Sequence, residues 1–433
     1  MVSSKEAGIS LSFLGGCGEV GRIGIKLKVG ERTLLLDYGV SLEEGAPKFP
    51  AHVRPRELLG AVLSHAHLDH SGALPLLYSS GFRIPVYTTS LTARLSLLLL
   101  EDFLKVSGYY LPFEDREIKC FFSSVSPLRY EQQLELPGEI VIELIEAGHI
   151  PGSAMTLIKT PELNILYTGD FNLVETQLLR AAALDSINFA NVDVVIMEAT
   201  YADVEHPERR SLEKEFVEEC TEVIESGGVV LVPAFAVGRS QEILCVLRRY
   251  DFGYRVTIDG MARQASKIIL RHPNFVKDYE LFRNALMRAR WINSWLERRK
   301  AASTPGVIIT PAGMLKGGAA LYYLQRIYKD PKNAIFLVSY QIEGTPGRVL
   351  LDTGKFPFGD VLEEVKARVK WFDFSAHCGR RELLEFIKRL SSGTRLFMIH
   401  GEQEGIAKLA LEVSENYDLE VIIPKEGEEY VLS

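Results

Sequence analysis

Four residues with metal-binding side chains lie within six positions in the segment Ser64-His65-Ala66-His67-Leu68-Asp69-His70. Imidazole nitrogens and carboxylate oxygens are ligands that suit zinc. In an extended loop His65 and His67 point the same way and can bind one ion, while Asp69 and His70 can turn toward a second. The alternative, histidines scattered on a surface beside a helix cap, fits so dense a cluster poorly. The spacing therefore predicts a metal site.

Three further candidate ligands follow apolar, strand-like runs elsewhere in the chain. They are Asp37 after Thr33-Leu34-Leu35-Leu36, His149 in Gly148-His149-Ile150-Pro151, and Asp170 in Tyr167-Thr168-Gly169-Asp170. Each alone is weak evidence, because a lone histidine after a strand is more often a satisfied polar residue and Gly-Asp is an ordinary turn dipeptide. Their chain order and the apolar strands before them make the set informative.

The His-x-His-x-Asp-His string resembles the signature of the metallo-β-lactamase superfamily, and the three further candidates stand where that superfamily has its other ligands. Additional motifs narrow the resemblance to the β-CASP nucleases, which insert a second domain into this fold. The motif residues are Glu198 in Met197-Glu198-Ala199-Thr200-Tyr201, His377 in Ser375-Ala376-His377-Cys378 and His400 in Ile399-His400-Gly401-Glu402. DNA-processing members typically lack histidine at the third motif, so His400 favours RNA as the substrate.

Two more strings are similar to one branch of the RNA-processing members. These are Pro233-Ala234-Phe235-Ala236-Val237-Gly238-Arg239-Ser240-Gln241-Glu242 and Glu343-Gly344-Thr345. They resemble the endonuclease subunit of the eukaryotic cleavage and polyadenylation specificity factor and its archaeal relatives more than bacterial ribonuclease J, whose second motif usually reads Ser-Gly-His-Ala. Long archaeal members carry RNA-binding KH domains before the nuclease core, whereas here the first predicted strand begins at Ile9. RNA capture is therefore expected to rest on the catalytic domains or on a partner.

The resemblance implies a two-zinc ribonuclease that leaves 5′-phosphate and 3′-hydroxyl ends. It implies a first zinc held by His65, His67 and His149, a second held by Asp69, His70 and His400, and Asp170 as the bridge. The resemblance further implies that Asp69 orients the attacking water and that His377, hydrogen-bonded to Glu198, protonates the leaving 3′-oxygen. Asp37 either orients a ligand histidine or has a purely structural role in a turn, with equal weight.

A phosphate contact is the next candidate. Gly238-Arg239-Ser240 follows a predicted strand and opens a predicted helix, where free backbone N–H groups and the helix dipole favour anions. Arg239 adds a side chain suited to bidentate phosphate binding. By itself the pattern is more often a plain helix cap, and the similarity of the surrounding residues to the family raises the RNA interpretation. Lys316, on a glycine-bearing turn, is a weaker RNA-binding candidate.

The elements that must position these residues predict an α/β fold in two domains. Residues 1–202 and 371–433 are expected to form a metallo-β-lactamase αββα sandwich, because strand-like runs alternate with turns and helices and the run Arg395–Ile399 ends at His400. Residues 203–370 are expected to form the β-CASP domain, a parallel sheet covered by helices. The cleft between the domains is the expected place for RNA.

Individual elements are predicted on both sides of the first motif and along the second domain. The first motif is expected in a loop between a strand ending at Leu63 and a helix over Ser71–Tyr78. In the second domain the predicted helices are Ser211–Ser226 and Arg239–Tyr250, and the predicted strands are Gly228–Val232, Tyr254–Ile258, Gly306–Thr310 and Asn333–Val338.

Composition is that of a cytoplasmic enzyme. The chain has 433 residues, 47% of them apolar, which is enough for two large cores. Its five cysteines are scattered without CxxC spacing, which favours a reducing cytosol, and no apolar run approaches the roughly 20 residues of a membrane span. The net charge of −8 opposes loose binding of nucleic acid and predicts a local basic cleft.

Three other functions compete with the ribonuclease. A small-molecule hydrolase such as a glyoxalase-like thioesterase has no need for His377, Glu198 or an inserted domain. A non-catalytic scaffold of an RNA-processing complex has no need for an unbroken ligand set, and a DNA nuclease is disfavoured by His400. The sequence leaves open exonuclease or endonuclease action, a homodimer by family analogy, and partners among RNA-processing or decay proteins.

Overall fold

The computed structural model describes residues 8–42, 46–107 and 110–433. The chain divides into two compact units. Unit 1 comprises Met1–Val174, Ala181–Glu205 and His377–Ser433, and unit 2 comprises Glu175–Arg180 and His206–Ala376.

Unit 1 contains two mixed β-sheets. Its strands are β1 (Ile9–Gly15), β2 (Gly24–Val29), β3 (Arg32–Tyr38), β4 (Leu58–Val62), β5 (Val86–Thr88), β6 (Val125–Pro127), β7 (Gln133–Leu136), β8 (Ile140–Glu146), β9 (Ala154–Lys159), β10 (Asn164–Tyr167), β11 (Val194–Glu198), β20 (Arg395–Ile399), β21 (Glu420–Ile422) and β22 (Glu429–Val431). The first sheet has the order β22-β1-β2-β3-β4-β5-β6, and the second has the order β21-β20-β11-β10-β9-β8-β7.

Helices cover the outer faces of both sheets. They are α1 (Leu68–Ser71), α2 (Ser90–Ser107), α3 (Asp115–Ser123), α11 (Arg380–Ile387) and α12 (Gln403–Asn416). Residues of both sheets, such as Phe13 and Phe397, share one buried core between the sheets. A second core joins the first sheet to α2 and α3, and a third joins the second sheet to α11 and α12. Unit 1 is therefore an αββα sandwich.

Unit 2 contains a six-stranded sheet and a separate hairpin. The strands are β12 (Val229–Pro233), β13 (Val256–Ile258), β14 (Arg290–Trp291), β15 (Gly306–Thr310), β16 (Ala334–Leu337) and β19 (Arg368–Trp371), with β17 (Lys355–Phe358) and β18 (Val361–Glu364) as the hairpin. The order is β14-β13-β15-β12-β16-β19, and every pairing is parallel. The central strands β12 and β15 are wholly buried and rich in valine and isoleucine, as a sheet covered on both faces requires.

The helices of unit 2 connect consecutive parallel strands or flank them. They are α4 (Arg209–Glu225), α5 (Arg239–Arg249), α6 (Ala262–Leu270), α7 (Tyr279–Arg288), α8 (Trp295–Ala301), α9 (Gly318–Ile327) and α10 (Pro346–Thr353). A parallel pair of strands cannot be joined by a tight turn, so each crossover needs a segment of this length.

The predicted helix over Ser71–Tyr78 is wrong. The α-helix occupies Leu68–Ser71 instead, and a 3₁₀ turn follows at Leu74–Tyr78. Pro75 explains the difference, because it has no N–H to donate to the carbonyl of Ser71 in a continuous α-helix. Asp69 and His70 therefore lie on a helical turn rather than in a loop. Among the described residues, no helix is both long and apolar enough to cross a membrane.

Candidate metal centre

The candidate ligands of unit 1 follow the carboxyl ends of strands. β4 leads into the segment with His65, β8 into His149, β10 into Asp170 and β20 into His400. Within the second sheet, β8, β10 and β20 run in the same direction, as the parallel pairs β10–β11 and β11–β20 and the antiparallel series β8–β9–β10 require. Strand ends of the same polarity meet at one edge of a sheet, where α/β proteins place their sites.

A first set of donor atoms converges on three histidines and one carboxylate. Nδ1 of His67 lies 3.2 Å from Nε2 of His65 and 3.2 Å from Nε2 of His149. Oδ2 of Asp170 lies 3.4 Å from Nε2 of His65 and 3.6 Å from Nε2 of His149. All four ligand atoms lie within 4.8 Å of one another. The set is compact enough to surround one ion.

A second set meets the other oxygen of the same carboxylate. Oδ1 of Asp170 lies 3.2 Å from Nε2 of His70 and 3.5 Å from Nδ1 of His400. Nε2 of His400 in turn lies 3.4 Å from Oδ2 of Asp69. Asp170, only 2% exposed, therefore turns one oxygen toward each set.

These spacings fit metal ions. Zinc–nitrogen bonds of about 2.0–2.1 Å in a tetrahedron place neighbouring ligand atoms about 3.3–3.4 Å apart, close to the separations in both sets. Among the described residues, Nε2 of His70, Oδ1 of Asp170 and Nε2 of His400 are buried without a hydrogen-bond partner. Leaving three such atoms unsatisfied is costly unless a cation completes them.

Asp37 links the two donor sets through hydrogen bonds, directly to His70 and through Ser64 to His65. Its buried carboxylate accepts hydrogen bonds from the amide of Ser64 at 2.7 Å, the hydroxyl of Ser64 at 2.6 Å and the hydroxyl of Tyr167 at 2.6 Å. Nδ1 of His70 lies 2.7 Å from Oδ2 of Asp37. The Ser64 hydroxyl, which donates to Asp37, can accept from Nδ1 of His65 at 3.0 Å. In both rings this arrangement directs the lone pair of Nε2 toward Asp170.

His400 is held in the same way by Thr200. The Thr200 hydroxyl donates to the carbonyl of His400 at 3.0 Å and therefore accepts from Nδ1 of His400 at 2.9 Å, which leaves Nε2 unprotonated. His400 has a φ of 53°, in the left-handed region that non-glycine residues rarely adopt. Its amide donates to the carbonyl of Gly16 at 2.8 Å, which helps to hold this conformation.

The electrostatic environment divides the histidines. Burial lowers the pKa of His67 to about 4, and burial together with His70 lowers the pKa of His65 well below its usual range, so both are neutral rings. Burial also opposes charge on His70, but Asp170 and Asp37 outweigh it and raise the pKa of His70 well above its usual range. Neutral imidazole is the metal-binding form, and His70 needs a competing cation to release its proton.

A histidine–glutamate pair lies beside the first set. Nδ1 of His377 is 2.9 Å from Oε1 of Glu198 and 4.0 Å from Oδ2 of Asp170. Burial opposes charge on His377, yet Glu198 and Asp170 raise its pKa to about 9. Glu198, 1% exposed, also accepts from the amides of Phe171 and Thr200, so its position is set by the backbone. His377 therefore carries a proton next to the candidate metal centre.

The structure brings together every metal candidate of the sequence analysis, and it adds three residues that sequence reasoning missed. These are Ser64, Tyr167 and Thr200, which orient His65, Asp37 and His400 respectively. Each stands within three residues of a candidate ligand or of Glu198. That proximity was a usable signal, although a polar residue at a strand end usually bonds only to nearby backbone.

The phosphate-binding candidates of unit 2 share one edge of its sheet. α5 follows β12 and α9 follows β15, which are neighbouring parallel strands, so Gly238-Arg239-Ser240 and Lys316 lie at the carboxyl edge. The three amides of Gly238, Arg239 and Ser240 donate to Gln241, Val237 and Phe235 respectively. They are used within the unit, so the expected free amides are not there, and a phosphate contact at these residues stays a prediction.

Family models match most of the chain. A metallo-beta-lactamase superfamily domain matches residues 26–200, a Beta-Casp domain matches residues 240–350, and a Zn-dependent metallo-hydrolase RNA specificity domain matches residues 363–424. The first span contains the candidate ligands from His65 to Asp170, and the third contains His400. The Beta-Casp match lies inside unit 2.

Several curated archaeal proteins are similar over nearly the whole chain. The RNase aCSPSF2 of Saccharolobus solfataricus is 40% identical, over 98% of this chain and 85% of the relative. The probable RNase MJ4 of Methanocaldococcus jannaschii is 36% identical, over 97% of this chain and 99% of the relative. The transcription termination factor FttA of Methanothermobacter thermautotrophicus is 33% identical, over 96% of this chain and 70% of the relative.

A solved structure shares the fold. The crystal structure of a protein of unknown function from Enterococcus faecalis V583 superposes with a TM-score of 0.65 at 16% identity, over 98% of this chain and all of that one.

Proposed function

The chain belongs to the β-CASP family of metallo-β-lactamase-fold ribonucleases, in the branch of archaeal proteins like the cleavage and polyadenylation specificity factor, and from this membership we propose a two-zinc ribonuclease that leaves 5′-phosphate and 3′-hydroxyl ends. The observation that carries the proposal is the carboxylate of Asp170, which turns one oxygen to each of two donor sets.

We propose the ligands set by set. The first zinc is assigned to His65, His67 and His149, the second to Asp69, His70 and His400, with Asp170 shared between them. When bound, two such ions lower the pKa of a water and neutralise charge that develops on a phosphodiester. Asp37 orients His70 and, through Ser64, His65.

His377 is proposed as the general acid. Water attacks phosphorus and loses one proton to solvent, the P–O3′ bond breaks, and the leaving 3′-oxygen takes a proton from Nε2 of His377. Glu198 holds Nδ1 at 2.9 Å and stabilises the imidazolium before transfer. The side chain of His377 is 18% exposed, which gives it access to solvent for reprotonation. Asp69 is proposed to orient the attacking water in addition to its ligand role.

The domain assignment is part of the proposal. Residues 1–202 and 371–433 are assigned to the metallo-β-lactamase domain and residues 203–370 to the β-CASP domain, which the two compact units and the family matches support. Arg239 and Lys316 remain candidates for contacts with RNA phosphates, and single-stranded RNA is the proposed substrate. A homodimer and partners from RNA processing or decay are part of the same proposal.

Product length from 5′-labelled, 5′-monophosphorylated single-stranded RNA with zinc tests this function. Labelled mononucleotide from the start indicates 5′-to-3′ exonuclease action and a role in decay or trimming. Labelled 5′-terminal fragments longer than a mononucleotide, produced by internal cuts, indicate endonuclease action, which fits transcription termination, the role named for the FttA relatives. The Asp69→Ala variant controls for a contaminating nuclease, and absence of cleavage by the unmutated protein with zinc would contradict the proposal and favour a scaffold or a partner-dependent enzyme.

A further inference from the structure

One segment of unit 2 is strongly basic in an acidic chain. Residues 261–300 contain ten Lys and Arg against three Asp and Glu, a net charge of +7 where the whole chain carries −8. Among the described residues, ion pairs bind three of these cations, Lys277, Arg283 and Arg298. The other seven have no carboxylate within ion-pairing distance there, so the segment presents positive charge to solvent.

Aromatic rings lie among these cations at the β14 edge of the sheet. We call this the β14-edge surface, and it comprises Lys267, Trp291, Trp295, Arg298, Tyr322 and Arg326. Lys267 lies over the Trp291 ring at 5.5 Å, Arg298 over Trp295 at 4.7 Å, and Arg326 over Tyr322 at 3.5 Å. Trp295 is 68% exposed, a large fraction for the largest apolar side chain.

The rings are held in place from below. The guanidinium of Arg298 makes two hydrogen bonds, of 2.6 and 2.9 Å, to the buried carboxylate of Asp259, which also accepts from Tyr323 at 2.8 Å. These bonds hold the Arg298 guanidinium in place, and the Trp295 ring packs against it. The centroids of the Trp295 and Tyr322 rings are 5.3 Å apart. An exposed tryptophan on a fixed cation is preorganised for stacking.

The opposite edge of the same sheet lacks this pattern, although it also has basic residues and a tryptophan. At β19, Arg368 pairs with Glu219 and Glu222, and Lys370 pairs with Glu215 and Glu219. Its cations are neutralised by the glutamates of α4, and although Lys370 lies over the Phe372 ring at 4.9 Å, that ring is buried. At the β14 edge, by contrast, Lys267 and Arg326 have no carboxylate within ion-pairing distance among the described residues, and the Trp295 ring is exposed. Trp371, on β19, is 38% exposed.

A pair of arginines adds to the positive field at β14. Burial and the neighbouring charge of Arg290 lower the pKa of Arg255. Nε of Arg255 is buried without a hydrogen-bond partner among the described residues. Two neighbouring like charges favour an anion beside them.

We infer that the β14-edge surface binds single-stranded RNA, with bases stacked on Trp295 and Tyr322 and phosphates beside Arg326 and the cations of residues 261–300. Of the surface's rings, Trp295 is exposed and Trp291 and Tyr322 are half-buried, and of its cations Lys267 and Arg326 have no carboxylate partner among the described residues. Rings interleaved with such cations are the combination that single-stranded nucleic acid recognises, since every base has a face that stacks and every linkage carries a charge. The choice of RNA over another polyanion rests on the proposed function. A face between two copies of the chain is disfavoured because like charges would meet across it.

Binding of a 20-nucleotide single-stranded RNA, measured by fluorescence anisotropy over a salt series, tests the inference. The full chain carries His377→Ala so that the RNA stays intact, which a gel verifies. Trp295→Ala should weaken binding at least about fivefold with an unchanged salt slope, because it removes a stacking platform and no charge. Lys267→Gln and Arg326→Gln should each reduce the salt slope by about 0.7. Trp371→Ala is the matched control and should leave affinity within about twofold.

Each outcome separates this inference from the proposed function. If Trp295→Ala and Trp371→Ala weaken RNA binding equally, or if neither weakens it, the inference about this surface is wrong even if the unmutated chain cleaves RNA. Selective weakening by Trp295→Ala upholds the surface even if the chain cleaves nothing. If sedimentation shows that Trp295→Ala breaks a dimer while RNA affinity is unchanged, the face joins two copies and the inference is wrong. Circular dichroism of each variant checks that the fold is intact.

Discussion

In the candidate metal centre, individual histidine rings are oriented by a hydrogen bond at Nδ1. His70 bonds to Asp37, and His400 bonds to Thr200. Each bond fixes which nitrogen presents its lone pair and how the ring is turned, and loss of such a bond ordinarily costs about 10–100-fold in metal affinity or activity. The centre therefore depends on residues that never touch an ion, and a substitution at Thr200 should act through His400.

Removing His377 and removing His400 should have different consequences. His377→Ala should keep two metal ions per chain and lose about 10²–10⁴ in cleavage rate, because it removes only the proton donor. His400→Ala should lower the metal content toward one ion, because it removes a ligand of one set. Elemental analysis of gel-filtered protein measures this. Equal loss of metal in both variants would show that the roles are not divided in this way.

The charge of Glu198 should set the alkaline limit of activity. His377 must be protonated to act as an acid, so the rate falls as the pH rises through its pKa, which Glu198 and Asp170 raise to about 9 against the effect of burial. Glu198→Gln removes one of these charges and retains the shape, so the pKa of His377 falls and the alkaline limb moves to lower pH. Rates of RNA cleavage between about pH 6 and 10 measure the shift.

A second histidine–carboxylate pair provides the control. In unit 2, Nδ1 of His206 lies 2.6 Å from Oδ2 of Asp373. Asp373→Asn alters a pair of the same type outside the candidate centre, so its pH profile should match that of the unmutated chain. An alkaline limb that stays in place in Glu198→Gln would exclude His377 as the titrating acid.

At the scale of elements, the strand ends that carry the site could be predicted from the sequence. The predicted α/β fold, a metallo-β-lactamase sandwich with an inserted β-CASP domain, is confirmed by the architecture and the family matches. Apolar runs ending in a polar residue marked the ends of β10, β11 and β20, because a buried strand must be apolar and its end is where side chains become free to act. The strand predicted at Gly306–Thr310 has the observed bounds of β15.

Contacts between elements that are distant in the chain could not be predicted from the sequence. Asp37 and Tyr167 are 130 residues apart yet share a hydrogen bond, and no local pattern encodes such a pair. Gly39 is a further case. Its amide donates to the carbonyl of Ile23, and a Cβ added to it would lie 1.7 Å from the carbonyl oxygen of Asp69. A glycine after a strand usually indicates a turn, whereas here it allows the backbone of α1 to approach β3.

Gly39→Ala should therefore displace the element that carries Asp69 and His70. The added carbon would meet backbone rather than a flexible side chain, so the helix start must move. We expect a loss of at least about 3 kcal/mol in the free energy of unfolding, as for severe overpacking, together with loss of metal. Urea titration and elemental analysis measure the two effects.

Gly253→Ala is the matched control for this prediction. A Cβ at Gly253 would meet no atom of the described chain within 4 Å, so the stability should change by no more than about 0.5 kcal/mol. Full metal content and unchanged stability in Gly39→Ala would mean that α1 does not need to lie against β3 to build the centre.

At the scale of the whole molecule, the two units carry different parts of the chemistry. The candidate ligands all belong to unit 1, whereas the basic residues 261–300 belong to unit 2. All three tryptophans, Trp291, Trp295 and Trp371, also belong to unit 2. Tryptophan emission therefore reports on unit 2 alone, which allows the stability of the two units to be followed separately.

Removing metal should destabilise unit 1. Its candidate ligands His65, His70, Asp170 and His400 are at most 2% exposed. Without cations, Nε2 of His70, Nε2 of His400 and Oδ1 of Asp170 stay buried with no hydrogen-bond partner among the described residues, which is costly. An ion present at about 1,000 times its dissociation constant contributes about 4 kcal/mol, which for a unit of this size corresponds to a shift on the order of 10 °C. Chelation should thus lower the calorimetric transition of unit 1 by that order and lower the tryptophan transition of unit 2 less. His400→Ala, which lacks part of one set, should show a smaller shift than the unmutated chain. Identical calorimetric transitions with and without chelator would mean that the buried donor sets hold no stabilising ion, and the assignment of two zinc ions would fail with them.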